Sequence, residues 1–432
     1  MFWGNLLGEC WRESTPGRCR QRKYQHPVRE VLGAEALKIN SWLCVKIFPP
    51  YIWAMRNHAF YLCFCLLIVA CRSHSDSKFI PAFYYWQTSN EGYDYFENNA
   101  LLDSLDVSKI YLRMFDVAWD EARKKPVPAG PYRGGWFFSN GREAVPVVFV
   151  TNETLQHLDS SGCADLAQRI ARKTNAMLNR LANKLQADAY WYYETEQPFS
   201  PLSDQANEDS LIALGKQWRG GIREFQIDCD WSPSTRDKFF YLLNQLKPLF
   251  PGMKITCTIR LHQFKHFDKT GVPPVERGIL MCYNVDDIKD PATTNSIFNH
   301  AEARKYLEGA KSYPLPLDVA LPAFGWGVLF HAGQFKCIVP EAVFRKNKSE
   351  FEEVKPALFR AKTDFTLNDQ YVREGDLLRF ETPDEKELLK TIELLKKQKL
   401  ASPLTISFFH LDNEHQQDET IEYFKDLLAA FR

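Results

Sequence analysis

The chain has 432 residues, of which 45% are hydrophobic and 25% are charged, and its 54 basic and 54 acidic side chains give a formal net charge of +0. Residues 1–70 contain nine of the basic and four of the acidic side chains, so the remainder is slightly acidic, with 45 against 50. A domain of this charge lacks the basic surface on which nucleic-acid binding depends, so nucleic acid is excluded as an expected partner.

The N-terminal region has the layout of a secretory signal that starts at Met55. Arg56 is followed by an apolar run from Ala59 to Val69. A run of roughly 12 residues is too short for a transmembrane helix, which needs about 20. Residues 1–54 are basic and lack a sustained amphipathic period, so we expect them to be a spurious upstream extension. A cytoplasmic domain that precedes an anchor is the alternative.

The end of this signal, Ile68-Val69-Ala70-Cys71, resembles the lipobox of bacterial lipoproteins, in which the cysteine is lipidated and becomes the first mature residue. The resemblance implies a signal peptide over residues 55–70, a lipid anchor at Cys71 and a linker over residues 71–79. It also implies that the protein is held by this anchor at a membrane of the bacterial cell envelope.

Five cysteines follow Cys71, and none has the spacing of a zinc site: Cys163, Cys229, Cys257, Cys282 and Cys337. Their number is odd and three of them lie in strand-like runs, so we expect buried thiols and no disulfide framework. The sequence predicts neither a structural metal nor a cofactor.

Eight strand-like segments alternate with helical patterns along the rest of the chain. They cover residues 82–88, 109–119, 144–151, 224–231, 254–264, 278–285, 318–325 and 404–411. Between them, apolar residues recur with a helical period, as at Phe239, Leu242 and Leu246. Another helix is expected to begin with Thr382 as its N-cap and Pro383 as its first residue. This order predicts an α/β fold, a (β/α)8 TIM-type barrel over residues 80–432.

Two of the connections are longer than a barrel requires, and they are predicted as insertions after strands 3 and 7. The first covers about residues 186–222 and is aromatic and acidic, while the second covers about 327–380 and contains further extended runs. Both follow strands on the side where active-site loops grow, so we expect them to shape a groove.

The stretch FQIDCDWS predicts two carboxylates on one face of the fourth strand, because side chains alternate with a period of two. Asp228 and Asp230 would repel each other, so such a pair is typical of a place where chemistry maintains it. Further polar and aromatic residues fall at strand ends that would meet at the same face: Trp86, Gln87, Arg113, Asp116, Asn152, Arg260, His262, Tyr283, Asn284, Trp326, His410 and Asp412. Carboxylates beside flat rings are typical of a sugar site, although many such residues are ordinary caps.

Two motifs carry a resemblance to glycoside hydrolase family 18. Its Asp-x-x-Asp-x-Asp-x-Glu pattern matches Asp228 and Asp230, and its Met-x-Tyr-Asp pattern matches Met281 and Tyr283. The resemblance implies catalytic roles for Asp228, Asp230 and Tyr283. The chain departs from the pattern at three positions, where Phe225 replaces the first Asp, Ser232 replaces the catalytic Glu and Asn284 replaces the last Asp.

Residues 80–432 resemble more closely an uncharacterised group of bacterial lipoprotein-type barrels, a domain of unknown function. The likeness lies in the Gln-x-Asp-x-Asp strand, the first strand with Phe-Tyr-Tyr-Trp-Gln, and the lipobox. It implies a fold and a location but no reaction.

Three interpretations therefore remain. The chain is a glycan hydrolase whose acid is Asp116, Glu194, Glu196 or Asp412, a glycan-binding barrel that has lost its acid, or a structural envelope lipoprotein. In the first two, the expected partner is an oligosaccharide or polysaccharide, and the protein is expected to be a monomer.

Overall fold

In a computed structural model of the protein, residues 79–90, 95–136, 141–196, 204–411 and 418–432 are described. The predicted extension, the signal peptide, Cys71 and most of the linker lie outside these residues, as does Asp412. The described residues all belong to one compact unit.

A closed barrel of eight parallel strands forms the centre of the fold. Sixteen strands are present in the described residues: β1 (Ile80–Tyr85), β2 (Lys109–Asp120), β3 (Lys125–Ala129), β4 (Glu143–Val150), β5 (Glu224–Asp228), β6 (Lys254–Arg260), β7 (Arg277–Met281), β8 (Leu317–Pro322), β9 (Trp326–His331), β10 (Gln334–Pro340), β11 (Phe351–Lys355), β12 (Leu358–Ala361), β13 (Phe365–Leu367), β14 (Gln370–Val372), β15 (Leu377–Glu381) and β16 (Thr405–Phe409). The barrel order is β1-β16-β8-β7-β6-β5-β4-β2, and β1 pairs with β2 to close it. The predicted fold class is thus confirmed.

Helices cover the outside of the barrel. They are α1 (Tyr95–Ser104), α2 (Asn152–His157), α3 (Ser160–Glu196), α4 (Asp204–Gly221), α5 (Arg236–Leu246), α6 (Leu261–Lys265), α7 (Phe267–Thr270), α8 (His300–Leu307), α9 (Glu341–Lys346), α10 (Glu385–Leu395) and α11 (Asp418–Ala429), with short 3-10 turns at Lys247–Leu249 and Lys348–Glu350. The apolar stripe of α5, with Phe239, Leu242 and Leu246, is fully buried, as its period predicts. Within the described residues, no helix is both long and apolar enough to cross a membrane.

Two details of the predicted elements are wrong. The N-cap of α10 is Asp384, whose side chain accepts a hydrogen bond from the backbone N–H of Glu387, so the N-cap lies two residues after the predicted Thr382. The end of the fifth predicted segment, residues 254–264, also shifts, because β6 ends at Arg260 and the chain turns at once into α6. The Gln263 side chain accepts from the backbone N–H of Arg260 at 2.8 Å and stabilises this turn. His262 therefore lies in a helix and not at a strand end.

The region after β8 forms a sheet of its own. Strands β10, β9, β15, β12 and β11 pair antiparallel in this order, and β13 pairs with β14. Their side chains form a separate apolar cluster around Phe344, Phe359 and Leu378. We call residues 326–381 the inserted sheet. In the first of the long connections, α3 runs for 37 residues and α4 follows it.

The interior of the barrel is ionic at the end where the strands begin. Lys109 donates to Glu224 Oε2 at 2.7 Å, and the Thr256 hydroxyl donates to Glu224 Oε1 at 2.7 Å. Arg277 contacts both oxygens of Asp318 at 3.1 Å. These buried charges are paired, as buried charges must be, and they leave the opposite end of the barrel for the candidate site.

Candidate functional site

The candidate site lies where the barrel strands end, which is the active-site face of known TIM barrels. The structure places many of the predicted residues there, at or just after the last residues of β1, β5, β6, β7 and β16, and on β2 just after Leu112, which pairs with the last residue of β1. We call this place the barrel mouth and define it by Trp86, Arg113, Asp116, Asp228, Asp230, Arg260, Tyr283, Asn284, Phe324 and Phe409.

The two aspartates of β5 have different partners. Asp228 is the last residue of the strand, and the Thr258 hydroxyl on β6 donates to its Oδ1 at 2.5 Å. Asp230 lies two residues beyond the strand, and its Oδ2 is 2.7 Å from an Nη of Arg260. One carboxyl group therefore has a cation as its neighbour, while the other is bound by a neutral hydroxyl.

This difference sets the charge of Asp228. Only 6% of the residue is exposed. Burial and, second, the neighbouring charge of Asp230 raise the pKa of its carboxyl group to about 7, while the Thr258 hydrogen bond and Arg260 oppose the shift. The raised pKa brings the ionisation of Asp228 towards neutral pH, as expected of a group that exchanges protons in catalysis.

Arg113 and Asp116 form a fork on β2. The guanidinium donates from Nε to Asp116 Oδ1 at 2.9 Å and from Nη2 to Oδ2 at 2.6 Å, and its Nη1 donates to the carbonyl of Gly130. A register irregularity between Arg113 and Phe115 lies between the two residues. Burial raises the pKa of Asp116, although Arg113 opposes the shift.

Aromatic rings complete the barrel mouth. The guanidinium of Arg113 lies 5.8 Å from the ring centre of Trp86, whose ring is 5.4 Å from that of Phe409. Phe409 stacks on Tyr283 at 5.2 Å, and Phe324 meets Tyr283 edge-on at 6.0 Å. Burial raises the pKa of Tyr283 well above its usual value, and the charge of Asp228 contributes to the shift, so this phenol remains a hydrogen-bond donor.

A polar floor lies beneath the carboxyl groups. Tyr84 donates to Gln226 Oε1 at 2.9 Å and stacks on Tyr111 at 4.5 Å. Gln226 Nε2, the Tyr111 hydroxyl and Asn284 Oδ1 are buried and have no hydrogen-bond partner within the described residues. Asn284 takes a left-handed backbone conformation with φ 56°. Unpaired buried polar atoms are costly, so water or a ligand is expected to satisfy them.

The inserted sheet is joined to the mouth through Glu381. Its buried carboxylate accepts from the indole N–H of Trp326 at 3.0 Å, from the backbone N–H and hydroxyl of Ser296, and from Nε of Arg379. Trp326 packs on Phe324 with ring centres 5.1 Å apart. Glu381 thus fixes one aromatic wall of the mouth and the loop after β7.

Several predicted residues have other surroundings. Trp326 is only 4% exposed and its indole N–H is bound, so it supports Phe324 and does not line an open groove. His262 is exposed on α6. Asn152 caps the turn before α5 by accepting from Thr235 at 2.5 Å. Gln87 is half-buried just past β1, and half-buried His410 follows β16 with its ring 5.5 Å from that of Phe409.

The other candidate acids are either paired or outside the described side chains, and Ser232 lies in a turn. Asp116 is bound at both oxygens, as described above. Glu194 and Glu196 end α3, but their side chains lie outside the description, and so does Asp412 altogether. The Ser232 hydroxyl contacts those of Ser234 and Thr235 at 2.8 and 3.2 Å, within the turn that starts α5.

Sequence reasoning missed Thr258, Phe324, Phe409 and Glu381. The first could have been found from the strand period, because Thr258 lies two residues before Arg260. The cysteines of the described residues are all free thiols, four buried and Cys337 half-buried. No group of three or more His, Cys, Asp or Glu side chains within these residues is arranged to hold a metal ion.

No protein-family model matches the chain, and no curated protein matches its sequence. Solved structures similar to it include the spore cortex-lytic enzyme SleL of Bacillus cereus, with 14% identity over 82% of this chain and 74% of that chain and a TM-score of 0.41. A chitinase of Chromobacterium violaceum has 12% identity over 82% and 99%, with a TM-score of 0.43. The GH53 catalytic domain of Ignisphaera aggregans has 11% identity over 77% and 84%, with a TM-score of 0.33. At these scores the likeness carries no conclusion about what this chain does.

Proposed function

We propose that the protein binds a glycan at the barrel mouth and hydrolyses it with the carboxyl pair Asp228 and Asp230. The observation that carries this proposal is the combination of two carboxyl groups in different environments with a wall of aromatic rings. Glycoside hydrolysis needs one protonated and one ionised carboxyl group, and flat rings pack against the apolar faces of sugars.

The groups of the mouth form a closed circuit of direct contacts and, between Arg260 and Tyr283 and between Asp116 and Asp228, of electrostatic interactions, which supports the proposal. Asp230 is paired with Arg260, whose charge interacts with Tyr283. Tyr283 stacks on Phe409, which contacts Trp86. Arg113 lies over Trp86 and is paired with Asp116, which lies near enough to Asp228 to raise its pKa. A ligand inside this circuit would meet rings on one side and carboxyl groups on the other.

A second candidate function is glycan binding without cleavage, and Ser232 favours it. The position that would hold the acid in the family 18 pattern carries a hydroxyl group that contacts the hydroxyl groups of Ser234 and Thr235 in the turn before α5. A serine there does not donate a proton near neutral pH.

The experiment that tests both is a binding and hydrolysis screen of the protein against neutral, acidic and amino oligosaccharides. Asp230→Asn and Trp86→Ala are measured beside Asp426→Asn, a matched change of an exposed aspartate on α11. Hydrolysis that is strongly reduced in the first two variants and kept in the third supports an enzyme, and binding without hydrolysis supports the second candidate. If no sugar binds, both are wrong and the structural envelope role remains.

We propose further that the protein is lipid-anchored at Cys71 on the bacterial cell envelope and acts there as a monomer. The proposal is supported by the lipobox-like stretch and the apolar run before it. Expression in bacteria with a radiolabelled fatty acid tests it. Label should enter the wild-type protein and be absent from Cys71→Ala, and equal labelling of both would refute the anchor.

A further inference from the structure

We propose that Asp228 itself is the proton donor of the hydrolysis proposed above, in place of the acid that is missing at Ser232. The inference rests on the proposed function, because a proton donor to a glycosidic oxygen has no role in a protein that does not cleave glycans. It assigns the acid to a residue that the family 18 pattern does not use in this way.

The first argument is the pairing of the carboxyl groups at the mouth. Both oxygens of Asp116 accept hydrogen bonds from Arg113, and Asp230 is paired with Arg260. Within the described part of the mouth, Asp228 is the one carboxyl group without a direct ion pair. A carboxyl group that lacks a cation and is buried favours its neutral, protonated form.

The second argument is the position of the proton. The Thr258 hydroxyl donates to Asp228 Oδ1, so Oδ1 acts as an acceptor. No hydrogen bond to Asp228 Oδ2 is found within the described residues, which leaves Oδ2 to carry the proton. Because the residue is the last of β5, this oxygen is at the end of the barrel where the rings of Tyr283 and Phe409 lie.

The third argument is the division of roles between neighbours. Asp230 is held by Arg260 in the form of an ion pair, which suits a group that stabilises positive charge or activates water. Burial and the charge of Asp230 raise the pKa of Asp228 to about 7, which agrees with the geometry. Two carboxyl groups with different environments are the pattern by which acid and base roles are separated.

The proposed step is balanced in protons and electrons. Asp228 Oδ2–H gives its proton to the glycosidic oxygen while the bond from that oxygen to the anomeric carbon breaks, and the leaving oxygen keeps the electron pair. One water molecule then adds to the anomeric carbon and releases one proton. This proton restores the carboxyl group of Asp228, either directly or through Asp230.

The test compares substrates that differ in their need for an acid. The probes are oligosaccharides and 4-nitrophenyl glycosides of glucose, N-acetylglucosamine, xylose, mannose and galactose, measured with the full chain. Asp228→Asn is expected to lower kcat on the oligosaccharides by about 10²- to 10⁴-fold. On the 4-nitrophenyl glycosides, whose leaving group departs without a proton, we expect less than about a tenfold loss.

The pH dependence gives a second, independent measurement that does not require Asp228 to be changed. In the wild type, kcat/KM should fall as pH rises through about 7, because the acid loses its proton. Thr258→Val removes a hydrogen bond that lowers this pKa, so the fall should move to higher pH. Asp230→Asn removes a neighbouring negative charge, so the fall should move to lower pH.

Four outcomes would overturn the inference. Equal losses on both kinds of substrate in Asp228→Asn would assign the residue another role, and a pH profile that moves in neither variant would show that Asp228 is not the titrating acid. Glycan binding without hydrolysis of any probe would remove the acid but keep the glycan site. Absence of any binding would overturn the proposed function as well.

Discussion

Replacing Asp228 with asparagine should make the stability of the protein less dependent on pH, and this can be measured without a ligand. The Asn side chain keeps an oxygen that can accept from Thr258, but it does not ionise. In the wild type, the folded state retains a proton on Asp228 up to a pKa of about 7, whereas the unfolded chain loses it at about 3.9. The wild type should therefore lose stability as pH rises through this window.

The size of the effect follows from the difference between the two pKa values. Where the folded state holds more protons than the unfolded state, the free energy of unfolding falls with rising pH. A difference of about 3 units at about 1.4 kcal/mol each gives about 4 kcal/mol as an upper limit. The advantage of Asp228→Asn over the wild type should grow from pH 4 to pH 8 by up to this amount and change little above.

The assay is urea unfolding of both proteins at intervals between pH 4 and pH 9, followed by circular dichroism. Asp318, whose pKa burial raises to about 6, titrates in both proteins and cancels in the difference. Asp426→Asn controls for the loss of an exposed carboxylate. A difference between Asp228→Asn and the wild type that is flat with pH, or that shrinks as pH rises, would refute the reasoning.

Three further changes test the surroundings of the site. Glu381→Ala removes an acceptor of the Trp326 indole N–H and the ion-pair partner of buried Arg379, so we expect a loss of about 3–5 kcal/mol in a denaturant series and a smaller loss in Glu381→Gln. Lys109→Met leaves the buried carboxylate of Glu224, at the opposite end of the barrel, without its ion-pair partner. It should lower the free energy of unfolding by about 3–5 kcal/mol and leave the sugar affinity, measured by calorimetry, unchanged. Ser232→Glu removes the hydroxyl contacts with Ser234 and Thr235 in the turn before α5, so it should lower the melting temperature and give no gain in hydrolysis, and a gain would contradict the inference on Asp228.

The barrel could be predicted because its signals are local. Each of the eight predicted segments overlaps a barrel strand, since a run of apolar and β-branched residues bounded by turns is readable within the segment itself. Most of the predicted segments extend beyond the end of the strand, as at β6, where the side chain of Gln263 closes a helical turn directly after Arg260. This turn depends on one hydrogen bond between a side chain and the backbone three residues earlier, and such a bond does not alter the hydrophobic pattern of the sequence.

The sequence was enough to predict which residues lie at the site, but not which partners they bind. Strand-end position was enough to find Asp228, Tyr283 and Trp86, because parallel strands bring their ends to one face. The burial of Trp326 depends on Glu381, which lies 55 residues further along the chain, on another strand of the inserted sheet. No sequence spacing links these two residues, so the sequence alone predicts Trp326 as an aromatic residue that lines an open groove.

The asymmetry between the two aspartates comes from the register of β5 against β6. Gln226 pairs with Thr256 and Ile227 with Cys257. Continued along the strands, this register sets Asp228 opposite Thr258 and Asp230 opposite Arg260, in agreement with the hydrogen bond and the ion pair. A register shifted by two residues would give Asp228 the arginine, and its carboxyl group would then be held as an anion. The raised pKa of the proposed acid is therefore a property of the strand pairing. A second cation, added at position 258 by Thr258→Arg, should lower this pKa and move the fall of kcat/KM to lower pH.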